Sequence, residues 1–182
     1  MKTFMKILYV IFAFGYIIYL VLPNSSFPQA QTNSIQSNEP ADIESDLRRA
    51  YYTNLSRTEV LNYYEDLFSK NTIVRIKLPT YRLNYPPEEA QTLIRDQTRS
   101  TFLEEIVHPF RESIYINGFQ PKEDKDAIIV DNKRWNQKII VKYIKSNVFN
   151  RLIVGVSSLL LILILSSAWI RFVKEMKNEN AI

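Results

Sequence analysis

Two uninterrupted apolar runs stand near the ends of the chain, ILYVIFAFGYIIYLVL at 7–22 and LIVGVSSLLLILILSSAWI at 152–170. The second holds 19 residues without a charge, the length an α-helix needs to cross the hydrocarbon core of a bilayer. The first holds 16 and follows a basic start containing Lys2 and Lys6, the pattern of a signal anchor. A cleaved signal peptide is the alternative, but its apolar core runs only about 7–15 residues, and Phe27-Pro28-Gln29-Ala30 places a proline where a cleavage site wants a small residue. No Lys or Arg follows the first run until Arg48. The positive-inside rule then puts both termini in the cytoplasm and the intervening segment outside. The expected plan is a cytoplasmic start (1–6), a span (7–22), a linker (23–46), a folded domain (47–151), a second span (152–170) and a cytoplasmic tail (171–182).

Residues 23–46 are mostly Ser, Asn, Gln and Pro. Such a segment buries too little surface to offset its ordering entropy and reads as a flexible coil reaching on the order of 25–30 Å. Beyond it the pattern turns periodic. Residues 47–53 are a candidate strand. Ser56-Arg57-Thr58-Glu59 has the capping-box spacing, and Val60, Tyr64, Leu67 and Phe68 fall on one face of the helix it opens. Residues 72–78 alternate and are β-branched, a strand that Pro79 ends. Pro86-Pro87-Glu88-Glu89 starts a second helix, with Ala90, Leu93, Ile94, Leu103 and Ile106 as its apolar stripe and Pro109 as its stop. Strands follow at 113–119, 127–131 and 138–145, with a polar turn at 120–126. This order predicts an α+β domain, two helices on one face of a mainly antiparallel sheet, carried between two transmembrane helices.

The formal charge of +4 changes meaning once mapped. Residues 24–150 contain 17 basic and 17 acidic side chains, so the excess flanks the spans and nucleic acid is not an expected partner. With no cysteine, the domain has neither disulfides nor thiolate zinc sites. Three glycines leave no phosphate-cradling loop. The Ile, Asn, Lys and Tyr bias suggests an AT-rich microbial genome, hence a bacterial envelope. The only histidine, His108, is assigned to the C-terminal end of the second helix, where a cation suits the dipole. Glu104, Glu105 and Glu112 are the carboxylates available for acid–base work, but neighbours on a helix diverge. Glu123, Asp124 and Asp126 lack the spacing of a calcium loop. No enzyme, cofactor or metal is expected.

What remains is interaction. Tyrosine suits interface hot spots, and Tyr51, Tyr52, Tyr81 and Tyr85 are candidates. Residues 132–151 carry six basic side chains and no acid, so Lys138, Lys142 and Lys145 are candidates for contact with membrane lipids. Between the spans, the aromatic stripe with Tyr16 and Tyr19 is expected to meet the small residues Gly155, Ser158 and Ser166, pairing Tyr16 with Ser158 and Tyr19 with Gly155. The leading expectation is a non-enzymatic assembly or scaffold protein whose outer domain binds another envelope protein or a second copy. A ligand-binding or sensor module is the alternative, and an enzyme with an unrecognised site the next.

Overall fold

A computed structural model describes residues 2–70, 76–95 and 97–179. The chain divides into two compact units, Asn24–Lys145 and the pair of end segments Met1–Pro23 and Ser146–Ile182. The first is α+β with a mainly antiparallel sheet. The second holds two long apolar helices.

The sheet unit contains β1 (Ile35–Gln36), β2 (Arg48–Thr53), α2 (Arg57–Ser69), β3 (Tyr81–Tyr85), α3 (Ala90–Leu93), β4 (Phe102–Val107), β5 (Ser113–Phe119), β6 (Ile128–Val130), β7 (Lys133–Trp135) and β8 (Gln137–Ile144). Six strands form one antiparallel sheet in the order β1-β2-β8-β5-β4-β3. β6 and β7 make a separate hairpin. Its two central residues, Asp131 and Asn132, both have positive φ (52° and 58°), as a two-residue type I′ turn requires.

Alternation along the strands gives the sheet two unlike faces. Tyr51, Phe102, Ile106, Ile114, Ile116, Ile139, Val141 and Tyr143 lie under α2, which contributes Val60, Leu61, Tyr64 and Phe68 to the larger core. The helix starts where its sequence says it should. Ser56 Oγ accepts from Glu59 N, and Glu59 Oε2 accepts from Ser56 N at 2.7 Å. Gly118 lies opposite Phe102, and a β-carbon there would run into the Phe102 ring. The glycine gives the aromatic its place in the core.

Two expectations are corrected. The second helix shrinks to one turn, because Arg95 turns into positive φ (67°) and β-branched Thr98 and Thr101 follow. Leu103 and Ile106 then belong to a strand, β4, where they point to opposite faces. α3 and the preceding 3-10 turn Pro87–Glu89 cover the other face of the sheet, not the face of α2. The segment 24–46 is no free linker either. β1 pairs with β2, Phe27 packs edge-on against Tyr143, and Gln31, Ser37 and Asp42 are buried. Ser37 Oγ donates to Asp42 Oδ2 at 2.6 Å, and Lys138 Nζ reaches Asp42 at 2.7 Å and Glu39 at 2.9 Å. Composition hid this, because polar side chains fasten the segment along with the single aromatic Phe27. The strand expected at 72–78 lies largely outside the described residues, with Lys77 bridging to Lys70.

The other unit pairs α1 (Lys2–Val21) with α4 (Val148–Glu179), both long and apolar enough to cross a membrane. Gly155 would meet Leu20 and Tyr16 if it carried a side chain, so the helices touch closely there. Tyr9 Oη donates to Leu159 O at 2.7 Å. Arg151 is buried and spreads its guanidinium over the end of α1, donating to Leu22 O at 3.1 Å, to Leu20 O and to Ser146. It satisfies carbonyls that a helix terminus leaves without intrahelical partners. Of the residues expected to pack, Tyr16 sits against Gly155 together with Leu20, Ser158 Oγ donates to its own helix at Val154 O, and Ser166 is exposed.

The fragment 24–145 should unfold cooperatively in urea. Trimming it to 47–145 strips Lys138 of both carboxylates and uncovers Tyr143, and should lower stability by about 2 kcal/mol or more. Equal stability of the two fragments would mean that residues 24–46 do not belong to the fold.

Candidate functional site: the open face of the sheet

The face opposite α2 is built from rows of residues that lie opposite each other across neighbouring strands. One row runs Tyr85–Leu103–Asn117–Ile140–Ala50 and is closed by Ala90 and Ile94. At the far end of β8, the row Phe119–Lys138–Tyr52–Ile35 meets residues 37–42, which bind its lysine and tyrosine. Between α3 and the other end of the sheet the cover stops. There lie the rows Leu83–Glu105–Tyr115–Lys142–Arg48 and Tyr81–Val107–Ser113–Ile144. Tyr81 is 63% exposed, Leu83 45% and Ile144 38%, while Val107 and Tyr115 are half-buried. These five side chains lie on neighbouring strands and make one apolar patch on this face.

A polar pin divides the patch from the small core beside it. Tyr85 Oη donates to Glu105 Oε2 at 2.7 Å, and the Tyr85 and Tyr115 rings lie 6.1 Å apart. The hydrogen bond to the Glu105 carboxylate, with burial behind it, holds the Tyr85 phenol well above its ordinary range. Burial first and Glu105 second raise that of Tyr115. Both phenols therefore stay protonated donors at any physiological pH. On the α2 side of the same strands, Arg57 pairs with Glu104 and Asn84, and Arg82 Nε pairs with Glu65 at 2.7 Å.

The structure separates the candidate residues named from the sequence. Tyr81 and Tyr85 share the open face, and Lys142 lies two strands from β4, its Nζ donating to Leu93 O at 2.7 Å. Tyr51 is core under α2 and Tyr52 bonds Glu39. Lys138 is taken by Asp42 and Glu39, while Lys145 is exposed. Sequence reasoning passed over Leu83, Val107, Tyr115 and Ile144. For Leu83 a signal existed, since Tyr81-Arg82-Leu83-Asn84-Tyr85 alternates perfectly. For Val107 a false helix assignment hid it.

The titratable groups considered for chemistry do not converge. Glu104 and Glu105 point to opposite faces, each with its own partner. Glu112 is fully buried beside Arg111 at 2.9 Å and accepts from Ser25 N at 3.1 Å, so it ties residue 25 to the β4–β5 turn. Burial opposes its ionisation, but Arg111 and the amide hydrogen bonds hold its carboxyl below the ordinary range. His108 is buried with its ring stacked on Phe68, its nitrogens 2.9 Å from Phe68 O and Pro79 O. It does sit at a helix end, but at that of α2. Asp124 and Asp126 in the acidic turn face Arg134 and Arg99.

Comparison with family models, with curated proteins and with solved structures finds no match.

Tyr85→Phe should lower the stability of the 24–145 fragment by about 1 kcal/mol, the worth of a half-exposed hydrogen bond to a carboxylate. Urea unfolding measures it. No change would show that Glu105 is served by water instead.

Proposed function

We propose that this protein is a non-enzymatic, membrane-anchored assembly part whose α+β domain binds another protein of the envelope, or a second copy of itself, through the open face of its sheet. The observation that carries this reading is the apolar patch of Tyr81, Leu83, Val107, Tyr115 and Ile144, three of them exposed, on a sheet whose other apolar side chains are buried or half-buried. Exposed apolar patches of this kind mark interaction surfaces. Its tyrosines and aliphatic side chains, rimmed by Lys142 and the Tyr85–Glu105 pair, match an interface core with a polar edge.

The two apolar end helices support anchoring in a membrane as a hairpin. The charge pattern around the first one, with Lys2 and Lys6 before it and no basic residue until Arg48, supports cytoplasmic termini and an external domain. Arg171, Lys174 and Lys177 on the last turns of α4 then lie on the cytoplasmic side with Lys2 and Lys6.

Reporter fusions after Leu22 and at Ile182 should report external and cytoplasmic locations respectively, and an external C-terminus would overturn the hairpin. For binding, Ile144→Glu in the full-length protein should shift its size in mild detergent from an assembly to a monomer. The exposed position tolerates the charge, so circular dichroism should not change. An unaltered assembly would remove the open face from consideration.

A further inference from the structure

We infer that β3 is the seam of a homodimer, in which the β3 strands of two copies pair antiparallel about a two-fold axis passing through Leu83. The inference rests on the reading of the protein as an assembly part and names the second copy as its partner, at the sheet edge that borders the open face.

β3 closes one edge of the six-stranded sheet and among the described residues pairs only with β4, so its outer side presents backbone groups with no strand partner there. Such edges are normally blunted by charge, by proline or by shortness. The opposite edge, β1, is short, with two residues. β3 has five, and its one charge, Arg82, is already matched by Glu65 on α2. The prolines stand just outside it, at 79, 86 and 87. They limit the seam without interrupting it.

The sequence of β3 is nearly a palindrome, Tyr-Arg-Leu-Asn-Tyr. In an antiparallel pair, residues directly opposite share a face, which leaves few registers for a strand against its own copy. Centred on Leu83, the pairing sets Tyr81 opposite Tyr85 of the second copy, Arg82 opposite Asn84, and Leu83 opposite Leu83. All five residues pair and every proline stays outside. Centring on Arg82 instead opposes two guanidinium groups and brings Pro79 against Tyr85. Centring on Asn84 brings Pro86 and Pro87 against Arg82 and Tyr81. Charge and proline together select one register.

That register also sorts the faces. Arg82 meets an amide on the α2 side, where donors and acceptors are already gathered at Glu65, Asn62 and Arg57. On the open side, Tyr81 and Leu83 meet Tyr85 and Leu83, so the apolar patches of the two copies join across the seam. A five-residue strand pair buries less than the roughly 1,600 Å² of a standard stable interface. Two copies confined to one membrane meet at a raised effective concentration, which suits a small seam.

The test uses full-length protein in its own membrane, where the absence of native cysteine gives a clean background. Opposed residues at the axis stand about 4.5–5.5 Å apart between Cα atoms, within disulfide reach, whereas diagonal neighbours do not. Under mild oxidation Leu83→Cys should give a covalent dimer. Tyr81→Cys co-expressed with Tyr85→Cys should give a mixed dimer at least about fivefold above either variant alone. Should Leu83→Cys disturb the fold, the mixed pair still decides. No dimer from either arrangement, or equal yields at all three positions, overturns the inference. If crosslinking fails while Ile144→Glu still dissolves the assembly, the open face stands and its occupant is a different protein. If crosslinking succeeds while Ile144→Glu changes nothing, the seam stands without the open face.

Discussion

This sheet carries apolar side chains on both faces, and among the described residues the domain has one helix long enough to cover one. Everything else in the fold follows from that shortage. α2 lays thirteen residues over one face and closes the larger core. The second face is left to single turns and irregular chain, namely α3 with its leading prolines and the segment 37–42. Because such pieces bring few apolar side chains, they are fastened by charge. Lys138 rises from this second face to meet Asp42 and Glu39, and Lys142 donates to Leu93 O. Where the covering chain runs out, Tyr81, Leu83 and Ile144 meet solvent.

A domain without cysteine must hold its long connections by packing and polar contacts alone. Two buried groups do this in the sheet unit, and a third does it in the helical one. His108 reaches Phe68 O at the end of α2 and Pro79 O on the way into β3. Glu112, neutralised by Arg111, takes the amide of Ser25. Arg151 closes the exposed carbonyls of α1 within the helical hairpin. Each joins segments far apart in sequence. Removing one partner of such a buried charge leaves the other unsatisfied, which costs far more than the pair contributes net.

What could be read from the sequence follows the same division. The apolar end helices, the capping box at Ser56, and the strands around 48–53, 113–119 and 137–144 were legible, because each rests on local periodicity or local hydrogen bonds. The second helix misled because Ala90, Leu93 and Ile94 begin a helical stripe that Leu103 and Ile106 happen to continue. Only the turn at Arg95 breaks it, and nothing in the residue type announces a positive φ there. The docking of residues 24–46 depends on partners such as Lys138 and Tyr52 that lie far along the chain, so no local pattern reveals it. The roles of His108 and Glu112 were hidden for that reason too.

The open face and the β3 edge have one origin. A covering helix over Leu83 and Tyr115 would shield the patch and crowd the edge beside it. Leaving the face bare, while keeping β3 free of proline and of unmatched charge, preserves a strand that carries the ordinary hazard of edge pairing. Five residues bounded by prolines on both sides confine that hazard to one partner register. The same limits that make the seam weak in free solution keep it from propagating: once two β3 edges meet, the six-stranded sheet of each copy has, among the described residues, only the two-residue edge of β1 left to offer. The geometry therefore favours a closed pair over an open chain of sheets.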